Sequence, residues 1–161
     1  MARRRSGLTA PPGGDAAALR PLFVAEPPAQ YLARPPAVVD CSLLGAALFD
    51  EPERDAALQL MAYRQLFAPT LLDQELLNVA ITKVRRGLDS ERAGAALAAC
   101  AELPLERRET ALHEQFALAL RYTLSGYDAA YLWLAAQLRA PLLTFDRRLA
   151  DAATRHLQSL R

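Results

Sequence analysis

The chain has 161 residues, of which 52% are hydrophobic and 23% charged, a composition typical of one globular domain and not of a disordered protein. No uncharged run exceeds ten residues, so we expect no membrane span, and the basic start is not followed by the apolar segment of a secretory signal. These features predict a cytoplasmic protein. The two cysteines, Cys41 and Cys100, are too few for a disulfide framework or a zinc site, and we expect both to be reduced.

The formal charge of +1 conceals an uneven distribution. Residues 1–36 carry five arginines and two acidic residues, a net charge of +3, together with seven of the eleven prolines. We interpret them as an N-terminal extension whose apolar stretches, Pro21 to Val24 and Tyr31 with Leu32, can lie against the body or a partner. Residues 37–161 carry 14 basic and 16 acidic residues, a net of −2, which excludes a generic basic nucleic-acid-binding domain.

Apolar periodicity and helix boundary signals predict strands that alternate with helices along residues 37–161. The alternation predicts a three-layer α/β fold with a mainly parallel central sheet. Pro104 places the third strand at an edge of that sheet, Thr70 is the expected cap of the third helix, and Gly87 is its expected end. The predicted strands are 37–40, 66–69, 102–106, 141–145 and a small one at 156–160; the predicted helices are 42–48, 52–64, 70–86, 89–101, 110–123, 126–139 and 147–155.

Three acidic residues occupy positions where parallel strands end or helices begin. Asp40 follows the first strand, Asp146 follows the strand at 141–145, and Asp128 lies three residues after Ser125 at the start of a helix. Each has a structural alternative, because Asp40 and Asp146 can cap the following helices and Asp128 can complete a capping box. Ligands of parallel α/β sheets bind at this same edge, so both interpretations remain open for each residue.

A fourth acid, Glu75, lies in the predicted helix at 70–86 and has no capping position. It forms a polar row with Asn78 and Thr82 beside the apolar stripe of that helix, and Asn78 is a natural hydrogen-bonding partner for its carboxylate. A solvated helix face is the alternative.

The four acids together favour a metal site over four unrelated structural roles. Carboxylates that point at one spot repel each other and raise their own pKa values. A hard divalent cation removes that cost, and oxygen ligands are those that Mg²⁺ or Mn²⁺ prefers. The hypothesis is therefore a divalent metal held by Asp40, Glu75, Asp128 and Asp146.

Four stretches of the chain, in order, resemble the motifs of the PIN domain family. They are VVDCS at 38–42, APTLLDQELLN at 68–78, YDAAY at 127–131 and LTFDRRL at 143–149, and the similarity spans about residues 37–161. It is closest to the VapC-type toxins, ribonucleases of bacterial toxin–antitoxin pairs. The resemblance implies that Asp40, Glu75, Asp128 and Asp146 are the acidic quartet, with Ser42, Thr144 and Asn78 as supporting residues. The extension at 1–36 departs from typical members, which begin almost at the first strand.

The resemblance also implies an activity and partners. The expected reaction is Mg²⁺-dependent hydrolysis of RNA phosphodiester bonds, with Mn²⁺ as a possible substitute, that leaves a 5′-phosphate and a 3′-hydroxyl. The expected partners are a separate antitoxin protein and a second copy of the chain in a homodimer. Exposed arginines at helix ends, namely Arg85, Arg86, Arg147 and Arg148, are candidate RNA contacts, although solvated helix ends explain them equally well.

The sequence fits three other functions less well. A non-catalytic PIN-like binding module, whose extension engages a partner, is the main alternative, and the presence of all four acids argues against it. A phosphoacceptor receiver domain requires a lysine after a late strand, whereas the single lysine, Lys83, lies in a predicted helix. A dinucleotide-binding fold requires a glycine-rich turn after the first strand, and no such turn is present.

Overall fold

Four short parallel strands form the centre of the computed structural model, which describes residues 34–160. The first strand, β1, is almost entirely buried, since Ala37, Val38 and Val39 expose none of their surface. It lies between β2 and β4, and β3 pairs with the outer side of β2, so the sheet order is β3-β2-β1-β4. The strands are β1 (Pro36–Val39), β2 (Gln65–Pro69), β3 (Leu105–Arg108) and β4 (Leu142–Leu143), with every pairing parallel.

Seven helices flank this sheet within residues 34–160, and the predicted three-layer α/β fold with a parallel sheet is confirmed. The edge position predicted for the third strand is also confirmed, because β3 pairs only with β2 in the described sheet. No helix in this part of the chain is long and apolar enough to cross a membrane. The helices are α1 (Cys41–Leu48), α2 (Arg54–Met61), α3 (Leu72–Arg85), α4 (Ser90–Glu102), α5 (Leu112–Tyr122), α6 (Gly126–Leu138) and α7 (Arg147–Gln158).

The sheet order creates a switch point between β1 and β4. From β1 the chain passes to β2 on one side, whereas β4 returns to the other side, with Val39 opposite Leu143. At such a point the connections diverge and leave a crevice outside the carboxyl ends of the strands. Asp40 directly follows β1, and Asp146 lies three residues after β4, so both reach this crevice.

Local signals placed some helix ends correctly and others wrongly. Gly87 ends α3 with a φ of +104°, a conformation that side chains with a Cβ rarely adopt, and the Ser125 hydroxyl caps α6. The expected Thr70 cap is wrong: α3 begins at Leu72 without a side-chain cap, because Thr70 instead pairs its backbone with Arg108. On the short helix α2, Leu58 exposes 43% of its surface, whereas Met61 exposes only 9%.

The predicted strand at 156–160 does not form, because α7 continues through Gln158. Its buried residues are Leu149, Ala152, Ala153 and His156, and this spacing of three and four residues is helical throughout.

The extension predicted at residues 1–36 lies almost entirely outside the described residues, which begin at residue 34. Its apolar stretches, at residues 21–24 and 31–32, and the arginines at 3–5 lie outside the described residues. The division into an extension and a domain at 37–161 therefore stays a prediction.

Buried His156 predicts a pH dependence of stability. Its Nδ1 lies 3.1 Å from the Tyr122 hydroxyl, and its pKa is lowered by burial and by the nearby charge of Arg121. The fold therefore favours the neutral ring, while the unfolded chain binds a proton near pH 6.5. The free energy of unfolding that depends on His156 is fully present above about pH 6.5 and falls as the pH drops below that value.

This dependence is measured by urea titrations of the wild type and His156→Gln between pH 5 and 8. The stability difference between the two proteins is expected to shrink as the pH falls. Parallel pH curves would contradict a neutral buried His156.

Candidate active site

The four acids singled out in the sequence line one open cleft of about 640 Å³ at the switch point between β1 and β4. Each comes from a different part of the fold: Asp40 from the end of β1, Glu75 from α3, Asp128 from α6 and Asp146 from the start of α7. The other lining residues are Cys41, Ser42, Gly45, Glu51, Glu53, Val79, Tyr131 and Phe145. The fold thus brings together carboxylates that are up to 106 positions apart, counted from 40 to 146.

Asp40 is the most buried of the four, with 5% of its surface exposed. Its carboxylate accepts hydrogen bonds from the Ser42 hydroxyl at 2.9 Å, the Thr144 hydroxyl at 2.7 Å and the Leu43 backbone N–H at 3.0 Å. Burial raises the pKa of Asp40, and these hydrogen bonds oppose part of that rise. The side chain is therefore held in one orientation in a site that disfavours an unpaired charge.

Ser42 and Thr144 also join the two sides of the crevice. The Ser42 hydroxyl accepts the backbone N–H of Phe145 at 2.9 Å, and the Thr144 hydroxyl accepts that of Asp146 at 2.8 Å. The loop after β4 is consequently fastened to the end of β1 by side chains that also bond Asp40. Their contacts fix the position of Asp146 relative to Asp40.

The capping roles proposed for Asp40, Asp146 and Ser125 are real, and they coexist with a position in the cleft. Asp40 Oδ1 accepts the N–H of Leu43, and Asp146 Oδ1 accepts that of Leu149 at 2.9 Å. Capping occupies one oxygen of each carboxylate, so it fixes the side chain without using all of its acceptor capacity.

Asp128 lies in the first turn of α6, half-buried at the cleft wall. The Ser125 hydroxyl accepts its backbone N–H at 3.0 Å, which is one half of a capping box. Within residues 34–160 its carboxylate makes no hydrogen bond to protein. That carboxylate is therefore available for a ligand in the cleft.

Glu75 is half-buried and faces the cleft from α3. The hydroxyl of Tyr131, a side chain with 2% of its surface exposed, donates to Glu75 Oε2 at 2.5 Å. Burial raises the pKa of Glu75, the hydrogen bond from Tyr131 opposes the rise, and the charges of Asp128 and Asp40 add to it. The negative charges of Asp40 and Asp128 therefore repel that of Glu75 across the cleft.

The partner predicted for Glu75 differs from the one in the structure. Asn78 is exposed and does not bond Glu75, whereas the Tyr131 hydroxyl of α6 reaches Glu75 from across the cleft. Val79, one turn after Glu75, lines the cleft in its place. Tyr131 was not predicted as a site residue, although a tyrosine one helical turn after Asp128 is a signal for a hydroxyl near the cleft.

Two further acids, Glu51 and Glu53, line the cleft and were missed because they lie in the loop before α2. Glu51 bonds Lys83 at 2.5 Å, which neutralises it at short range. Six carboxylates thus line the cleft, and one of them, that of Glu51, is paired with a lysine.

The donor set fits a hard divalent cation, since oxygen ligands of high negative charge density are the ones that Mg²⁺ and Mn²⁺ prefer. In the described residues, however, no three acidic, histidine or cysteine side chains are already grouped closely enough to hold an ion. Oxygens of Asp40, Asp146 and Glu75 instead accept hydrogen bonds from the protein.

The cleft cysteine carries no reactive thiolate. Cys41 and Cys100 are both free, and the pKa of Cys41 is raised to about 12, first by burial and then by Glu75 and Asp40. This agrees with reduced thiols and argues against nucleophilic catalysis by Cys41.

The four candidate RNA-binding arginines are exposed, and none lines the cleft. Arg147 and Arg148 start α7 beside Asp146, and Arg148 donates to the carbonyl of Thr123. Arg85 and Arg86 lie at the far end of α3, about 15 Å along the helix from Glu75. A role in binding RNA stays a prediction for all four.

The Tyr131–Glu75 hydrogen bond predicts a measurable loss of stability. Tyr131→Phe removes the donor to a charged acceptor, and we expect the free energy of unfolding to fall by about 1.5 kcal/mol, because Glu75 is only half-buried and can be partly resolvated. Urea denaturation measures this loss. In a Glu75→Ala background the same substitution should cost much less, and an equal cost in both backgrounds would show that the bond does not stabilise the fold.

Comparisons with known proteins agree with the sequence motifs. The sequence model of the PIN domain family matches residues 37–154. Ribonuclease VapC9 of Mycobacterium tuberculosis is 34% identical over 119 residues, which cover 71% of this chain and 88% of the relative. Ribonuclease VapC3 of Pyrobaculum aerophilum is 34% identical over 120 residues, with 71% and 92% covered. In fold, the chain is similar to the crystal structure of PAE2754 from Pyrobaculum aerophilum, with a TM-score of 0.61, 24% identity, and 78% and 89% of the two chains covered.

Proposed function

The chain belongs to the PIN domain family, and from this premise we propose that it is a metal-dependent endoribonuclease, the toxin of a toxin–antitoxin pair. One observation carries the proposal: carboxylates from four separate elements line one cleft at the carboxyl ends of parallel strands. The relatives named as VapC ribonucleases, 34% identical over most of their own length, support RNA as the substrate.

Asp40, Asp128 and Asp146, with Glu75, are the residues that would hold Mg²⁺, or Mn²⁺ in its place. When bound, the ion supplies Lewis-acid polarisation of the scissile phosphate and acidifies a coordinated water. It would also neutralise the carboxylates that otherwise repel a phosphodiester. A cleft with this many acids has no other means, among its described side chains, of accepting an anionic substrate.

The protein's own contribution is to fix the acids in place before substrate binds. Ser42 and Thr144 hold Asp40 and, through the backbone, the loop that carries Asp146. Tyr131 occupies Oε2 of Glu75, so that Oε1 is the oxygen positioned to orient the attacking water. Pre-positioned groups of this kind lower the entropic part of the barrier.

An aromatic side chain at the cleft favours RNA with unpaired bases. Phe145 lies between Thr144 and Asp146, lines the cleft and exposes 39% of its surface. Exposed aromatic rings next to a reacting phosphate are typical stacking surfaces for the bases of single-stranded RNA. The substrate would thus be positioned by stacking as well as by charge.

The partners we propose are RNA, an antitoxin protein and a second copy of the chain, all in the cytoplasm. Three apolar residues in a row on α5 are exposed: Leu112 exposes 79% of its surface, Phe116 63% and Leu120 67%. Rows of this size on soluble proteins commonly mark an interface, and a homodimer would cover it. Sedimentation equilibrium of the purified chain distinguishes a dimer from a monomer.

The deciding experiment is cleavage of total RNA by the purified chain, with Mg²⁺ and then with excess EDTA. Cleavage that depends on Mg²⁺ and is lost in EDTA is the expected result. The alternative, a non-catalytic binding module that uses residues 1–36 to engage a partner, predicts no cleavage in either condition.

A further inference from the structure

Three arginines gather where the end of α5 meets α7. The guanidinium carbons of Arg121 and Arg155 lie over the Tyr122 ring, 5.3 and 5.6 Å from its centroid. Arg148 donates to the carbonyl of Thr123, the next residue along the chain. Helices that are distant in sequence thus place two positive charges over one aromatic ring, and a third contacts the backbone of the residue that follows that ring in the chain.

These charges have no short-range acidic partner in the described part of the chain. Within residues 34–160, no carboxylate oxygen lies within 4.0 Å of Arg121, Arg148 or Arg155, whereas four other arginines are paired. Asp151 lies between Arg148 and Arg155 on α7, but Arg155 bonds its backbone carbonyl, at 3.3 Å, and not its carboxylate. All three arginines are exposed, so their donors remain open to an anion from solution.

The cluster adjoins the acidic cleft. Arg148 lies two residues after Asp146, and its partner Thr123 lies two residues before Ser125, the cap of the helix that carries Asp128. Arg155 is seven residues further along α7, on the same helix face and about 10 Å away. Arg148 therefore lies close to the cleft in the chain, whereas Arg155, with Arg121 over the same Tyr122 ring, lies further from it along α7.

The carboxylates of the cleft repel phosphate unless a cation neutralises them, so they add nothing of their own to the affinity for the RNA backbone. Affinity of proteins for nucleic acid comes largely from arginine and lysine contacts to the backbone. Arginines that stack on an aromatic ring are held in place and lose less freedom on binding.

Building on the proposed nuclease function, we propose that Arg121, Arg148 and Arg155 form a phosphate-binding track for the RNA backbone outside the cleft. We favour RNA over an acidic protein segment because the track is continuous with a cleft suited to phosphodiester hydrolysis. Residues 37–161 carry a net negative charge, so binding of RNA requires a local group of positive charges, and the track would provide it.

The test compares two double variants of the full chain that remove the same amount of charge. Arg121→Gln/Arg155→Gln disrupts the track, whereas Arg54→Gln/Arg92→Gln removes two arginines that both pair with Asp50. Binding of a fluorescent single-stranded RNA is measured by anisotropy in an Asp40→Asn background, and cleavage kinetics are measured without that substitution. Thermal melts verify that each variant is folded.

We expect the track variant to weaken RNA binding at least about tenfold. The negative slope of the logarithm of the association constant against log salt should become shallower by about 1.4. Each phosphate that is no longer neutralised reduces the magnitude of the slope by about 0.7. KM for RNA should rise with kcat nearly unchanged, and the control pair should bind like the wild type. RNA binding unchanged in the track variant, or weakened equally in both pairs, would overturn the proposal.

Two further outcomes separate the possible failures. If binding of fluorescent polyglutamate depends on Arg121 and Arg155 while binding of RNA does not, the surface binds an acidic protein segment and the track is rejected. If the wild type binds RNA through these arginines but never cleaves it, the track stands and the nuclease proposal fails.

Discussion

Asp40→Asn is expected to reduce RNA cleavage by about 10²- to 10³-fold while the chain stays folded. Losing one ligand of a divalent ion removes several kcal/mol of transition-state stabilisation, and each 1.4 kcal/mol is a factor of ten in rate. Asparagine keeps the size of the side chain and an oxygen that can accept the Leu43 N–H. Burial disfavours the charge of Asp40, so the stability of the variant without metal should be equal to or above that of the wild type.

The measurement is the single-turnover cleavage rate at fixed Mg²⁺, together with a thermal melt. Asp128→Asn should behave similarly, because its carboxylate lies across the same cleft. Asp55→Asn, on the exposed surface of α2, is the matched control and should cleave like the wild type. Activity of Asp40→Asn within a few fold of the wild type would remove Asp40 from the mechanism.

The second large effect is stabilisation by a divalent cation. Ligand that binds only the folded state stabilises it by RT ln(1 + [L]/Kd), about 2.7 kcal/mol at a hundredfold excess over Kd. For a chain of this size that corresponds to a rise in Tm of about 5 to 11 °C. Mg²⁺ or Mn²⁺ should produce it, because the pKa of Glu75 is raised by burial and then by the charges of Asp128 and Asp40, and a bound cation would offset both costs.

A double variant, Glu75→Gln/Asp146→Asn, tests whether this shift comes from the cleft. It should melt at or above the wild-type temperature without metal and show little further rise when Mg²⁺ or Mn²⁺ is added. NaCl at matched ionic strength controls for screening. If neither ion shifts the wild-type melt, the non-catalytic binding module becomes the better explanation.

The elements of the fold were largely predictable because their signals are local. Apolar runs located β1, β2 and the helices, and Gly87 and Ser125 marked ends that the structure retains. The failures came where a short apolar stretch suits two structures. Residues 156–160 are the clearest case, since only the packing of α7 against the rest of the fold shows that their period is helical.

The supporting contacts of the cleft were less predictable than its acids. Glu75 was recognisable as a polar residue without a capping role, but its partner Tyr131 is 56 residues away and could not be identified from spacing within one helix. The proposed track was only partly predictable: Arg148 was a candidate RNA contact, but its grouping with Arg121 and Arg155 depends on where α5 lies relative to α7.

The sequence by itself determined which acids stand at strand ends and helix starts, since capping and hydrophobic periodicity act over a few residues. Only the tertiary structure decided that β4 pairs with β1, and this pairing brings Asp146 to Asp40 and fastens both through Ser42 and Thr144. Strand order depends on which long-range packing buries the most apolar surface, and a linear pattern does not contain that comparison.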